Sequence, residues 1–362
     1  MAEQTPLHGM TTQAGAVYTE EAGYAIPQHF GDADAEYRQA QSGAVLFDLS
    51  HRGKVELTGP EAPMFLHNLC TNDITGLPVG AGWEAFLTTA KAKVVSYLYV
   101  FHLLLHDGRP AFWLDVAPGT SEKVIQHLDH FVISEQVEFG DRTREFAQMH
   151  LAGAKAREVL ERALVDDVPE LEELQHMVRT FGSDATSHIR RHSPLGLPGY
   201  DIVCLRSRAE SIWQMLLRAG AKPAGRAAWE MLRIEAGTPA QGQDIDETTF
   251  APEAGRIAQA ISYAKGCYLG QEPIVMARDR GQVNRTLLGV KLPDGPVPHN
   301  STLFRDAKEV GRVTSSVRSP RLGIAVGLAY VRRGNQEPDT LLEVDVQGQR
   351  HPASVAALPF AG

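Results

Sequence analysis

The strongest constraint on the fold is a change of pattern near Arg285. Before this point, strand-like runs alternate with helical ones and with hairpins; residues 94–105 and 111–116, for example, flank a His-Asp-Gly turn. After it, prolines and glycines separate short strand-like runs such as residues 341–346, without convincing helical spacing. Small mixed units of strand and helix are typical of α+β folds rather than of a doubly wound parallel sheet. The sequence therefore predicts an α+β body followed by a separate small β-barrel or sandwich.

Size and composition indicate a globular chain of two or three domains. The 362 residues are 43% hydrophobic and 22% charged, which are ordinary values for such proteins. We expect no transmembrane helix, because no apolar run approaches the roughly 20 residues that a span needs. Residues 1–10 lack the basic and apolar regions of a secretory signal, so we expect a cytoplasmic protein with no membrane partner.

Charge and cysteine content exclude further classes. The formal net charge of -9 argues against nucleic acid as a partner. From Lys265 onward, 13 Lys and Arg stand against 9 Asp and Glu, which suits either a solvated, mildly basic surface or attraction of a small polyanion. Cys70, Cys204 and Cys267 are far apart and no CxxC occurs, so neither a disulfide framework nor a self-contained metal or cluster site is predicted.

The most informative segment is residues 265–272 (KGCYLGQE). Two glycines that bracket a cysteine indicate a tight loop whose backbone approaches another group closely. Lys265, two residues before Cys267, would stabilise a thiolate if its ammonium points inward. The alternative is a turn in which the buried cysteine serves as a small hydrophobic residue.

This segment resembles the K-G-C-[FY]-x-G-Q-E signature of YgfZ-type proteins, which belong to the glycine-cleavage T-protein superfamily. Arg280, Gly281 and Arg285 fit the continuation of that signature. In the T-protein itself, the matching segment is closer to K-G-D-F-x-G-R-E, so Cys267 and Gln271 stand where it has aspartate and arginine. Further segments that resemble the superfamily are residues 47–51 (FDLSH), 71–73 (TND), 232–237 (LRIEAG), 244–247 (DIDE), 311–315 (GRVTS) and 328–331 (LAYV).

The resemblance implies the three-domain ring of this superfamily, with two interleaved α+β subdomains, a C-terminal β-barrel and folate in a central opening. We place the folate-binding module at residues 1–285 and the barrel at 286–362. Within the module, the resemblance divides the chain roughly into 1–50 plus 140–225 and 51–139 plus 226–285.

The residues that the T-protein uses for aminomethyl transfer are not found at the matching positions of this chain. The T-protein supplies an aspartate next to the folate amine from a G-G-x-x-D-D-L segment, and the matching residues here are 92–98 (AKVVSYL). Ser96 and Tyr97 replace both aspartates. Neither side chain carries negative charge near neutral pH, because the reference pKa of tyrosine is about 10. We therefore expect no active aminomethyltransferase.

The resemblance also implies a set of folate-binding residues. Asp201, which closes residues 196–201 (GLPGYD), corresponds to a glutamate that accepts the paired N–H groups of the pterin; the alternative is a turn residue that bonds local backbone. Arg233 corresponds to an arginine at the folate site and suits the glutamyl carboxylates, or else it pairs with Glu230 on a helix surface. The remaining positions are Tyr97 and Tyr99, as pterin-facing or ordinary core aromatics, and Arg52, next to the cavity.

The resulting hypothesis is a folate-binding protein that supports iron–sulfur cluster assembly or repair in client enzymes. It would bind tetrahydrofolate or a derivative, and Cys267 would be its working thiol, tuned by Lys265 and in transient contact with a cluster. Its partners would be iron–sulfur client or assembly proteins. Two alternatives stay open: a tetrahydrofolate-dependent aminomethyltransferase or demethylase, and a structural partner that kept the fold and lost both ligands.

Overall fold

The computed structural model describes residues 2–281 and 283–360. The chain forms two compact units. The first unit consists of residues 1–67, 73–84 and 98–229, and the second of residues 68–72, 85–97 and 230–362. Among the described residues, none of the helices combines the length and the apolar composition that a membrane span requires.

Strands and helices alternate as far as residue 281, and only strands follow in the described residues. The strands are β1 (Glu3–Gln4), β2 (Val17–Glu21), β3 (Tyr24–His29), β4 (Val45–Asp48), β5 (Gly53–Thr58), β6 (Ala81–Thr88), β7 (Val94–Leu104), β8 (Pro110–Val116), β9 (Glu138–Asp141), β10 (Phe146–Ala152), β11 (His176–Phe181), β12 (Ala185–Arg191), β13 (Gly199–Leu205), β14 (Lys222–Pro223), β15 (Arg285–Leu292), β16 (Thr302–Arg305), β17 (Lys308–Arg318), β18 (Ala325–Arg332), β19 (Leu341–Val346) and β20 (Gln349–Ala356). The helices are α1 (His8–Gln13), α2 (Ala33–Ser42), α3 (Ala62–Leu69), α4 (Ser121–Asp129), α5 (Ala156–Leu164), α6 (Ala209–Arg218), α7 (Arg226–Ala236), α8 (Ile257–Ala260) and α9 (Gln271–Arg280). Short 3-10 turns lie at Arg206–Arg208 and Ala251–Ala254.

The first unit is built on a six-stranded sheet of order β11-β12-β13-β10-β4-β14. Helices α5 and α6 cover this sheet and form a core with it, in which Leu151, Leu160, Ile202 and Trp213 are buried. A three-stranded sheet, β1-β3-β2, belongs to the same unit. So do β8, β5, β9 and the part of β7 from Leu98, which lie in a sheet of order β6-β7-β8-β5-β9.

The second unit ends in a closed six-stranded barrel, β15-β18-β17-β16-β19-β20. Inward-facing side chains such as Val290, Val313, Val331 and Val344 fill it. A Cβ on Gly311 would lie 2.2 Å from the carbonyl oxygen of Tyr330, so only glycine lets these two strands approach. The barrel begins at Arg285, where the sequence pattern changes. The predicted α+β fold with a C-terminal barrel is confirmed, as is the β7–β8 hairpin.

Candidate functional site

Strand register in the first unit places three polar residues side by side. Arg190 on β12 is directly opposite Asp201 on β13, which is directly opposite His150 on β10. Directly paired residues of neighbouring strands point to the same face of a sheet. These three side chains are 1%, 1% and 0% exposed. One face of the six-stranded sheet therefore carries a buried polar row instead of an apolar one.

A second polar row crosses strands β7, β8 and β5 of the five-stranded sheet, in the same unit. Tyr99 on β7 is opposite Asp115 on β8, which is opposite Lys54 on β5. All three side chains are buried. The two rows meet, since the ring of Tyr99 contacts that of His192 and Arg190 Nη1 lies 3.5 Å from Asp115 Oδ2.

The Asp201 carboxylate is held by two imidazoles. His150 Nδ1 and His192 Nδ1 each lie 2.8 Å from a different oxygen of Asp201. Burial alone would raise the pKa of Asp201, but the charge of His192 and the hydrogen bonds from both rings outweigh it and hold that pKa well below its usual range. Burial lowers the pKa of His192, and Asp201 reverses this, so the pKa of His192 is raised. Asp201 is therefore a buried, ionised acceptor.

Aromatic rings and one glycine fix the two histidines. Tyr99 lies edge-on to His192 with centroids 4.5 Å apart, and Trp229 lies edge-on to His150 at 5.2 Å. A Cβ on Gly199 would lie 2.4 Å from the carbonyl oxygen of His192 and 3.0 Å from the His150 ring. Only glycine fits at residue 199, because any side chain would push the histidines away from Asp201.

Asp115 is the acceptor of a second cluster. Its carboxylate accepts hydrogen bonds from Arg52 Nε at 2.6 Å and from Gln148 Nε2 at 2.8 Å. Arg190 approaches it while its guanidinium stacks 3.9 Å above the centroid of Phe101. Burial alone would lower the pKa of Arg52, but Asp115 outweighs this and raises it, so Arg52 stays charged.

Lys54 adds a buried amine to this cluster. Its ammonium donates to the carbonyl oxygens of Ser50 and Arg52, at 3.3 and 2.9 Å. Burial lowers the pKa of Lys54 to about 8; Asp115 opposes the shift, and Arg190 and Arg52 add to it.

The clusters contain buried polar atoms without hydrogen-bond partners among the described residues. These are His150 Nε2, Gln148 Oε1 and Arg190 Nη1. Buried polar atoms are nearly always paired with protein, water or a ligand. The first unit can therefore offer a polar ligand both a donor and acceptors, in addition to the second lone pair on each Asp201 oxygen.

Three predicted folate residues, Asp201, Tyr99 and Arg52, belong to these clusters. Tyr97 belongs to the second unit, where its ring lies 5.3 Å from that of Phe86 and its backbone N–H donates to Gln241. Sequence reasoning missed His150, His192, Asp115, Arg190 and Lys54. The signal available was the presence of polar residues inside strands that are otherwise apolar, as in residues 149–151 (MHL).

Arg233 was predicted either to bind a glutamyl carboxylate or to pair with Glu230; the pairing is present, and the binding role stays a prediction. In the second unit, its guanidinium donates to Glu230, Asp244 and Ser315, and also to Thr238 and Gln243. All five N–H groups thus have acceptors in the chain, and the side chain is 2% exposed. Burial alone would lower the pKa of Arg233, and its two carboxylate partners raise it instead. Arg233 is a structural link between α7 and the barrel.

The residues of the KGCYLGQE segment also lie in the second unit. Cys267 is exposed. The ammonium of Lys265 donates to the carbonyl oxygens of Cys70 and Asn72, at 2.7 and 3.0 Å, and lies 4.7 Å from the centroid of the Tyr268 ring. The role of Lys265 in tuning the thiol stays a prediction.

His150, His192 and Asp201 also offer one metal-ligating atom each, all within 4.8 Å of one another. The 2.8 Å separations between ring nitrogens and carboxylate oxygens are, however, ordinary hydrogen-bond lengths. We therefore describe the group as a hydrogen-bonded cluster.

Comparison with known proteins gives matches along nearly the whole chain. Residues 7–265 match the family model described as the GCVT N-terminal domain, and residues 285–361 match the glycine cleavage T-protein C-terminal barrel domain. An aminomethyltransferase of Rubrobacter xylanophilus is 30% identical, covering 99% of this chain and 94% of that protein. One of Saccharopolyspora erythraea is 28% identical, covering 99% and 97%. The crystal structure of glycine cleavage system aminomethyltransferase T from Bartonella henselae superimposes with a TM-score of 0.90 at 23% identity, covering 100% of this chain and 98% of that one, which establishes the shared fold.

Proposed function

The chain belongs to the glycine cleavage T-protein family, and from this premise we propose that it is a cytoplasmic protein that binds tetrahydrofolate or a derivative. We propose further that it supports the assembly or repair of iron–sulfur clusters in client enzymes through Cys267. The observation that carries the folate proposal is the buried, ionised Asp201 carboxylate in the first unit.

The donor and acceptor pattern of the first unit fits a pterin. The pterin edge carries a ring N–H beside an amino group, and a carboxylate accepts such a pair with both oxygens. Each Asp201 oxygen uses one lone pair on a histidine and keeps a second one. Arg190 Nη1 could donate to a pterin oxygen, and Gln148 Oε1 or His150 Nε2 could accept from a pterin N–H. Tyr99 is proposed as a face for the flat ring and Arg52 as a cation near it, both in the first unit with Asp201; the role predicted for Tyr97 stays a prediction.

The absence of carboxylates at residues 96 and 97 supports a role other than aminomethyl transfer. Ser96 is fully buried, and its hydroxyl lies 3.5 Å from Gln241 Oε1. Gln241 Oε1 also accepts the N–H of Tyr97. A serine and a carboxamide provide no negative charge to stabilise an iminium ion during one-carbon transfer.

The exposure of Cys267 supports the iron–sulfur proposal. An exposed thiol can meet a cluster on another protein, whereas the buried Cys204, whose pKa burial raises to about 12, cannot act as a thiolate. One cysteine cannot hold a cluster alone, so a partner protein or small thiol must supply the other ligands.

Tetrahydrofolate-dependent aminomethyl transfer or demethylation is the second candidate. It is favoured by the relatives named aminomethyltransferase, which align with 99% of this chain. Turnover of a methylamine donor with tetrahydrofolate distinguishes it from the first candidate.

The test of the iron–sulfur role is complementation of bacteria that lack their own YgfZ-type protein, read out as the activity of a sensitive [4Fe–4S] enzyme. Wild type and Cys204→Ala should restore the activity, and Cys267→Ala should not. Cys204→Ala is the matched control, because it removes a buried thiol from the first unit. If wild type is soluble and fails to restore the enzyme, the iron–sulfur role is wrong and the transferase becomes the leading candidate.

A further inference from the structure

A buried, ionised carboxylate that accepts a hydrogen bond from each of two imidazoles determines which ring nitrogens carry protons. An ionised carboxylate only accepts hydrogen bonds, so the Nδ1 atoms of His150 and His192 must both carry protons. The tautomer of each histidine is thereby determined by Asp201.

The same contacts also fix the orientation of the carboxylate. Asp201 lies in the middle strand of the polar row, and each of its oxygens is tied to a different histidine. The histidines cannot turn easily, because Tyr99 packs against the ring of His192, and Trp229 and the backbone at Gly199 pack against the ring of His150. Rotation of the carboxylate would break both hydrogen bonds at once.

An acceptor held in this way selects its ligand. The lone pairs that remain on Asp201 can accept hydrogen bonds and cannot donate them. A ligand edge with two adjacent N–H donors satisfies both oxygens, whereas an edge that lacks one donor leaves a buried acceptor unpaired. A site of this kind rejects the deficient analogue more strongly than an apolar pocket does.

We propose that His150 and His192 are positioning residues that present the Asp201 carboxylate as a two-acceptor edge, which makes the site specific for a planar heterocycle with a ring N–H beside an amino group. This inference rests on the proposed folate-binding function and assigns the source of its specificity. The histidines act through Asp201 and need no contact with the ligand.

The test compares two ligands, folic acid and its 2-desamino-2-methyl analogue, which keeps the ring N–H and loses the amino group. Wild type should bind folic acid about 10- to 100-fold more tightly than the analogue, as expected for an unpaired buried acceptor. In His150→Ala and His192→Ala the ratio of the two dissociation constants should fall several-fold toward one, since the carboxylate can turn.

Asparagine variants separate positioning from simple loss of structure. Asparagine keeps an N–H near the place of the Nδ1 donor, so His150→Asn and His192→Asn should restore much of the ratio. His102→Ala is the matched control, because it removes a histidine of the same unit that stacks on Phe112. In His102→Ala, the ratio of the dissociation constants of the two ligands should equal that of wild type.

A second measurement needs no variant. Nitrogen-15 NMR of the ligand-free wild type should show a proton on Nδ1 of both histidines, and an Nε2–H tautomer of either ring overturns the inference.

If folic acid binds and the alanine variants keep the wild-type ratio, the positioning role is wrong while the proposed function stands. If wild type binds neither compound, the proposed function and this inference both fail.

Discussion

Two buried ionic clusters, one in each unit, differ in how completely their hydrogen bonds are satisfied. In the second unit, every N–H of Arg233 has an acceptor within the chain. In the first unit, the Asp201 and Asp115 clusters meet at Arg190 and form one larger cluster, in which His150 Nε2, Gln148 Oε1 and Arg190 Nη1 have no hydrogen-bond partner among the described residues. Both clusters contain a residue that resemblance assigns to folate binding. The comparison indicates that a saturated network has a structural role and an unsaturated one is available to a ligand.

Removal of Arg233 should have the largest effect on stability. Arg233→Ala leaves Asp244 buried with an uncompensated charge, so we expect a loss of about 3–5 kcal/mol in the free energy of unfolding. Urea denaturation measures it. Arg332→Ala, which removes an exposed partner of Glu309, should cost less than about 1 kcal/mol. A small loss for Arg233→Ala would contradict the structural role of the saturated cluster.

A methyl group at residue 199 should disturb the unsaturated cluster directly. In Gly199→Ala the new Cβ would meet the carbonyl of His192 at 2.4 Å, so the strands must shift at a cost of about 1–3 kcal/mol. Folate affinity should fall as well, because the shift moves both histidines relative to Asp201. Thermal melts with and without folate measure both effects. Gly242→Ala is the comparison, since its Cβ meets no atom within 4 Å although its φ of +87° still adds strain.

The pH dependence of stability should show the coupling of His192 to Asp201 within the unsaturated cluster. The pKa of His192 is raised in the folded protein, so its contribution is complete below the unfolded value of about 6.5 and is lost as pH rises through the folded pKa. The pKa of Asp201 is lowered, so its contribution is present above about 3.9 and is lost as pH falls further. Urea midpoints of wild type should therefore decline above neutral pH more than those of His192→Asn. Identical profiles would show that His192 and Asp201 are not coupled.

Substitution of Cys267 should have the smallest effect on stability. Its side chain is exposed, so Cys267→Ala should change the free energy of unfolding by less than about 0.5 kcal/mol. In the native protein, alkylation should modify Cys267 before Cys204. Protection of Cys267 from alkylation would remove the basis for a reactive thiol.

Much of the fold could be predicted from local pattern and motif. The β7–β8 hairpin and the all-strand region after Arg285 follow from turn residues and periodicity, which act over a few residues. The motifs indicated the glycine-cleavage T-protein superfamily, which the matches to its family models confirm, whereas the narrower YgfZ-type assignment stays a prediction.

The candidate site could be predicted only in part, because long-range register assembles it. Asp201 was found through its motif, but His150 lies 51 residues away and reaches it only through the pairing of β10 with β13. The partners of Arg233 were not predictable for the same reason, since Ser315, which accepts from one of its donors, is 82 residues away. Buried strands with apolar residues on both faces carry no alternation from which such pairings could be derived.

We propose that the unsaturated cluster of the first unit binds folate, and calorimetric titration of tetrahydrofolate into three proteins measures this binding. Wild type should bind, Asp201→Asn should bind at least 10-fold more weakly because one acceptor becomes a donor, and Arg233→Lys should keep the wild-type affinity if it folds. Equal affinity of wild type and Asp201→Asn would rule out Asp201 as the pterin acceptor, and no binding by folded wild type would rule out the folate proposal.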